Sequence, residues 1–168
     1  MKKTVLRFGL YGAVTIIILF VLGWVVGKDL NYATQEIIGY ASMVIALGFV
    51  YTGIKHFRDK ENNGVVSFTK GLTIGVLISL ITALAFGIVD VIYLELNPDF
   101  TVDYYTHMVA DMKAKLPAAD FELKLAELES QKELFSNPIF SFLIMAMTVF
   151  IIGFIISLIS ALLLQRKK

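Results

Sequence analysis

The chain has 168 residues, of which 57% are hydrophobic and 17% are charged, and its formal net charge is +1. Soluble domains carry roughly 25% charged residues, and disordered chains carry more charge and less apolar surface. The composition therefore excludes both classes. The sequence contains no cysteine, which excludes disulfides, thiolate metal sites, iron–sulfur clusters and a cysteine nucleophile.

The apolar residues form four long blocks, and each block is long enough for a membrane-spanning helix. About 20 helical residues cross a hydrocarbon layer of about 30 Å. A helix also satisfies the backbone amides that lipid leaves unpaired, and no block shows the alternation of a barrel strand. The predicted spans are residues 8–27, 37–54, 71–93 and 138–164. The first is too long for a secretion signal and lacks a small-residue cleavage site, so we interpret it as a retained anchor.

A basic segment, residues 55–70, joins the second and third spans. We expect the second helix to continue to Glu61, because Asn63 and Gly64 tolerate the left-handed conformation that stops a helix. Ser67 is placed to cap the third helix. Lys55, Arg58 and Lys60 suit either of two roles. They could anchor a basic turn at the membrane surface, or they could bind anionic headgroups.

Small residues recur every four positions along the third span, and the fourth span has a similar series. Four-residue spacing places such residues near one face of a helix, where a neighbouring backbone can approach closely. We interpret the series as a packing seam between the third and fourth spans, or as a self-association face. The seam comprises Gly71, Gly75, Ser79, Ala83 and Gly87 on the third span and Gly153, Ser157 and Ala161 on the fourth.

Asp90 is the one ionisable residue inside a predicted span. An acid within the membrane is a candidate proton or cation site. Asp90 also lies about one turn from the end of its predicted span, where a side chain can reach headgroups or water. Both interpretations stay open, and no Lys, Arg or His lies in another span to pair with it.

Residues 95–137 are predicted to form an external amphipathic helical hairpin between the third and fourth spans. Asn97-Pro98 marks a helix start and Pro117 a break. The apolar positions with helical spacing are Tyr105, Met108, Val109, Met112 and Leu116 before the break and Phe121, Leu125, Leu128 and Phe135 after it. The segment has nine acidic residues against four lysines. That charge favours packing of the apolar stripes on each other, on the helix ends or on a partner over adsorption to anionic lipid.

The charges are divided between the two ends of the predicted spans. The N-terminal tail, residues 55–70 and the C-terminal tail hold ten basic and two acidic residues, a net charge of +8. Residues 28–36 and 95–137, with Asp90, hold five basic and twelve acidic residues, a net charge of −7. Cytoplasmic loops carry the excess of Lys and Arg. We therefore expect both termini in the cytoplasm and the acidic segment outside.

Signatures of catalysis and of cofactor binding are missing. The sequence has no phosphate-binding Gly-rich loop, dinucleotide fingerprint or His-Glu-x-x-His motif. Its two histidines, His56 and His107, are too few and too far apart for a zinc site. We expect no catalytic residues, no cofactor and no metal, and nothing in the charge pattern indicates nucleic acid binding.

The segment between the second and third spans is similar to the central signature of a known family. Its residues are Lys55-His56-Phe57-Arg58-Asp59-Lys60, Asn63-Gly64, Ser67-Phe68, Lys70-Gly71 and Gly75. They resemble domain-of-unknown-function family 4199, small bacterial membrane proteins, and the likeness extends to the first span, to Asn97-Pro98-Asp99-Phe100 and to the last span. The resemblance implies a four-helix inner-membrane protein and transfers no activity, cofactor or site residue.

The sequence therefore predicts an all-α, multi-pass protein of the bacterial inner membrane, forming a single domain over residues 1–168. Our first hypothesis is a non-enzymatic structural or interaction component whose acidic hairpin and small-residue helix face make protein contacts. Its expected partner is a membrane or periplasmic protein or a second copy of the chain. The alternative is a subunit of an oligomeric transporter or channel that uses Asp90 and the hydroxyls of Thr73, Ser79 and Thr82.

Overall fold

A computed structural model describes residues 1–27, 30–135 and 137–166, with the side chains of residues 131–135 outside the description. Three basic residues used in the orientation argument, Lys28, Lys167 and Lys168, therefore lie outside the described residues. The described chain consists of helices joined by short non-helical segments and contains no strand. Its helices are α1 (Lys2–Val26), α2 (Tyr32–His56), α3 (Phe68–Leu96), α4 (Pro98–Lys115), α5 (Ala118–Phe135) and α6 (Pro138–Leu164), and a π-helical turn (Phe57–Glu61) continues α2.

Four of the described helices are long and apolar enough to cross a membrane: α1, α2 with its π-helical turn, α3 and α6. They contain the predicted spans, except that α1 ends at Val26, one residue before the predicted end of the first span. Large apolar side chains point outward along all four, and Val26, Ile37 and Leu163 are 74%, 68% and 70% exposed. Water-soluble surfaces rarely carry such continuous apolar area, whereas lipid tails favour it.

Local sequence signals set the helix ends where they were predicted. The hydroxyl of Ser67 accepts a hydrogen bond from the amide of Lys70 at 3.3 Å. Asn63 and Gly64 have φ angles of 52° and 79°, the left-handed region in which glycine is unstrained and asparagine is tolerated. Pro98 is in the first turn of α4. The predicted stop near Glu61, the Ser67 cap and the helix start at Pro98 are confirmed.

The chain divides into two compact units, and the boundaries between them fall within α3 and α6. The first unit comprises Met1–Phe86 and Met145–Lys168, and the second comprises Gly87–Ile144. In the first unit α1 packs along α2. Its apolar side chains with 0% exposure are Ile16, Ala46, Leu47, Val50, Ile54, Ile74, Ile78, Val149 and Ala161.

Small residues allow the backbones of the first unit to approach closely. A methyl group added to Gly75 would lie 2.7 Å from Ser157 Oγ and 3.1 Å from Val50 Cγ1. One added to Gly153 would lie 2.6 Å from Ser79 Oγ. These separations are shorter than van der Waals contact, so a side chain at either glycine would displace α3 from α6.

We expect Gly75→Ala to lower the free energy of unfolding by about 1–3 kcal/mol, because the new methyl group overpacks the contact with Ser157. Gly48 of α2 provides a matched control, since a methyl group there would meet nothing within 4 Å. Thermal unfolding of the purified protein in detergent measures both variants. Equal stability of Gly75→Ala and Gly48→Ala would contradict the close approach of α3 and α6.

Candidate functional site

The three basic candidates at the end of α2 have different surroundings. Lys55 and Lys60 are exposed. The side chain of Arg58 is 12% exposed and pairs with Asp59, with Nε 2.6 Å from Oδ1 and Nη2 3.1 Å from Oδ2. Its Nη1 donates to the carbonyl of Leu164 at 3.4 Å. Arg58 therefore connects α2 to the end of α6, and of the three only Lys55 and Lys60 present their ammonium groups for an anionic headgroup.

Glu61 connects the π-helical turn to the start of α1. One of its carboxylate oxygens accepts a hydrogen bond from the hydroxyl of Thr4 at 2.5 Å. The other accepts from the ammonium group of Met1 at 2.8 Å. Thr4 is 1% exposed, so its hydroxyl has little access to water and depends on Glu61 for a partner.

A backbone bridge connects the segment before α3 to the end of α6. The amide of Arg166 donates to the carbonyl of Val66 at 2.8 Å, and the amide of Val66 donates to the carbonyl of Arg166 at 3.2 Å. Together with the contacts of Arg58 and Glu61, this bridge connects the starts of α1 and α3 with the ends of α2 and α6 in one polar cluster. We call Thr4, Arg58, Glu61, Val66 and Arg166 the end cluster.

His56 lies beside this cluster in aromatic surroundings. Its ring centroid is 5.3 Å from that of Phe8, and Arg7 lies 5.9 Å from the centroid of Phe8 and 5.6 Å from that of Tyr11. Among the described residues there is no group of three or more His, Asp and Glu side chains that could hold a metal ion. The end cluster has hydrogen bonds and ion pairs suited to holding helices together.

Six of the eight seam residues meet in the first unit. Gly71 lies opposite Ala161, Gly75 opposite Ser157, and Ser79 opposite Gly153. The hydroxyls of Ser79 and Ser157 are 3.3 Å apart, and Ser157 also donates to the carbonyl of Gly153 at 2.6 Å. Because these hydroxyls are buried and already bonded, the arrangement is suited to packing and offers a ligand no free polar group.

The two remaining seam residues have other surroundings. Ala83 is 1% exposed in the first unit. Gly87 belongs to the second unit, where an added methyl group would lie 2.8 Å from the ring of Phe142. The seam therefore changes at Gly87 from contacts between small residues to an aromatic ring on a glycine.

Asp90 is also in the second unit and is 7% exposed. Its Oδ2 atom is buried and has no hydrogen-bond partner among the residues that the structure describes. The hydroxyls named with it in the transport hypothesis have partners of their own in the first unit. Thr73 donates to the carbonyl of Thr69 at 2.8 Å, and Thr82 donates to that of Ile78 at 3.2 Å.

The segment predicted as a hairpin consists of two helices, α4 and α5, with few contacts to each other. No residue of α4 is buried. The described side chains of the two apolar stripes are half-buried, and the acidic side chains are exposed except for the half-exposed Asp111. Ion pairs join Lys115 to Asp111 at 2.8 Å and Lys124 to Glu127 at 3.0 Å. The two helices thus present an acidic surface, and the side chain of Phe135 lies outside the described residues.

Sequence reasoning missed the polar partners in these regions. Thr4 lies in a basic tail, and no sequence pattern links it to Glu61, which is 57 residues away. Ser141 is also buried, at 6% exposure, although it looks like an ordinary small residue of the fourth span. Both follow from tertiary contacts that one sequence does not display.

The helices therefore define a class: an all-helical protein with four helices long and apolar enough to span a membrane. Residues 7–166 match the model of the family described as "Protein of unknown function (DUF4199)", and the chain belongs to that family. The resemblance predicted from residues 55–75 is thereby confirmed. No curated protein and no solved structure matches the chain.

We expect Thr4→Val to lower the free energy of unfolding by about 1 kcal/mol, because it keeps the side-chain volume but removes the hydrogen bond to Glu61. Thr69→Val is the control, since Thr69 is exposed at the start of α3. In a Glu61→Met background, which removes both carboxylate oxygens, Thr4→Val should cost less, and this double-mutant cycle isolates the pair. Chemical unfolding in detergent provides the measurement, and a zero coupling energy would contradict the bond.

Proposed function

We propose that the protein is a multi-pass component of the bacterial inner membrane, with both termini in the cytoplasm and α4 and α5 outside. The support is the division of charge along the chain, +8 on one set of segments and −7 on the other. Positive charge holds cytoplasmic segments inside, whereas acidic residues contribute little to orientation. The number of helices of spanning length, four, supports placing both termini on one side, because an even number of crossings returns a chain to its starting side.

Single-cysteine variants test this orientation directly, because the chain has no native cysteine. A membrane-impermeant maleimide added to intact spheroplasts should label Lys113→Cys and leave Lys60→Cys unlabelled. Both native side chains are exposed, so after lysis the two variants should react alike. Labelling of Lys60→Cys in intact cells would overturn the proposed orientation.

We further propose that the protein acts without catalysis and binds a membrane or periplasmic protein with a basic surface through α4 and α5. This proposal rests on the surface of α4 and α5, which combines incompletely buried apolar side chains with exposed acidic ones. Their apolar stripes are half-buried, no residue of α4 is buried, and acidic side chains surround them. Apolar positions also point outward, since Val102 and Leu123 are 64% and 73% exposed. Apolar groups within an acidic rim are typical of a binding surface for a protein of opposite charge.

Site-specific photocrosslinking in intact cells tests the binding surface. A photoreactive amino acid at Leu123 should give one discrete protein adduct, whereas the same group at Leu163 should give none. Leu163 is a suitable control because it is similarly exposed, at 70%, but lies on a helix of spanning length.

The adduct should also depend on the acidic rim. Glu122 and Glu129 are exposed and seven residues apart, so they lie on one side of α5. Changing both to Gln should reduce the yield of the Leu123 adduct several-fold, because it weakens the attraction to a basic partner. An adduct that is unchanged by this double substitution, or equally abundant from Leu163, would contradict the proposal.

A further inference from the structure

Asp90 lies within a helix of spanning length and yet is buried. Its side chain is 7% exposed, and it lies six residues before the end of α3 at Leu96. The Oδ2 atom has no hydrogen-bond partner within the described part of the chain. A carboxylate in such a position would be separated from water without the hydrogen bonds that normally compensate a buried charge.

Among the residues of the second unit that the structure describes, no buried positively charged side chain is available to pair with Asp90. α6 packs against α3 in this unit through Phe142 on Gly87, and the sequence of α6 contains no ionisable residue. The next charged residue along α3 is Glu95, which is exposed and is itself an acid.

The charged side chains of α4 and α5 that the structure describes are likewise turned to the surface. All of them are exposed except Asp111, which is half-exposed and paired with Lys115. Neither helix therefore places a described, buried cation beside Asp90.

We propose that Asp90 is a proton-binding site, which holds its side chain as a neutral carboxylic acid within the second unit. A bound proton removes a charge that is shielded from water and lacks a described hydrogen-bond partner, and it converts one carboxyl oxygen into a hydrogen-bond donor. Ionisable residues inside membranes mark proton and ion pathways. This inference goes beyond the proposed binding function and does not depend on it.

Dicyclohexylcarbodiimide tests the proposal, because this apolar reagent modifies protonated carboxyl groups in membranes. The acid proton moves to a carbodiimide nitrogen, and the carboxyl oxygen bonds to the central carbon. The acyl group then shifts to nitrogen and leaves a stable N-acylurea, with no oxidation or reduction. In native membrane vesicles at neutral pH, peptide mass spectrometry should find this adduct on Asp90.

The neighbouring Glu95 is an internal control. As an exposed acid, it should escape dicyclohexylcarbodiimide and react instead with a water-soluble carbodiimide and an added amine. Asp90→Asn should lose the apolar label, and Asp90→Glu should retain it. The second variant separates loss of the acid from loss of the fold, which unfolding in detergent also checks.

Infrared spectroscopy provides a readout that does not require access for a reagent. The wild-type protein should show a carboxylic acid C=O band that Asp90→Asn lacks. Absence of both the band and the adduct would overturn the proposal. So would reaction of Asp90 with the water-soluble reagent as readily as Glu95. Protection of Asp90 by sodium chloride, but not by choline chloride of equal ionic strength, would also overturn it and assign a cation in place of the proton.

Discussion

In the hydrocarbon of a membrane, every backbone N–H and C=O group must be satisfied within the protein, because lipid offers no hydrogen bonds. The four long helices of this chain, which are long and apolar enough to span a membrane, meet that requirement between their first and last turns. Helices in a membrane face a second constraint, since lipid tails are as apolar as the helix surfaces and burial alone gives little attraction between helices. Close backbone contact at Gly75 and Gly153 supplies van der Waals packing instead. The end cluster adds hydrogen bonds and an ion pair at the starts of α1 and α3 and the ends of α2 and α6.

The end cluster and Asp90 differ in whether their polar groups have hydrogen-bond partners. In the end cluster, Thr4, Arg58 and Glu61 each have a partner on another element or a neighbouring residue. Such groups position helices, and because they are already bonded they offer a ligand few hydrogen-bonding atoms. Asp90 has a buried oxygen with no partner in the described chain. Unsatisfied buried polar atoms are rare in folded proteins and invite a functional explanation.

The features that sequence reasoning predicted depend on local physical rules. Spans follow from helix rise and membrane thickness, the cap at Ser67 from an orphan amide, and the stop at Asn63 and Gly64 from backbone sterics. The contacts of Arg58 were not predictable, because its partner carbonyl belongs to Leu164, 106 residues away. Nor was the π-helical form of the last turn of α2, since residues 57–61 are compatible with an ordinary helix. The four-residue spacing indicated which faces of α3 and α6 carry small residues. It did not show that Gly87 lies against the ring of Phe142.

The paired hydroxyls of Ser79 and Ser157 have a consequence for the alignment of α3 with α6. A series of small residues with a four-residue repeat is degenerate, because sliding one helix by a full turn again places small residues opposite small residues. A slide in one direction would bring Ser79 opposite Val149, which has no hydroxyl, whereas a slide in the other direction would bring it opposite Ser157. Hydrogen bonds between membrane helices average only about 0.6 kcal/mol. The pair therefore contributes little adhesion, and its effect on alignment is confined to disfavouring the slide that brings Ser79 opposite Val149.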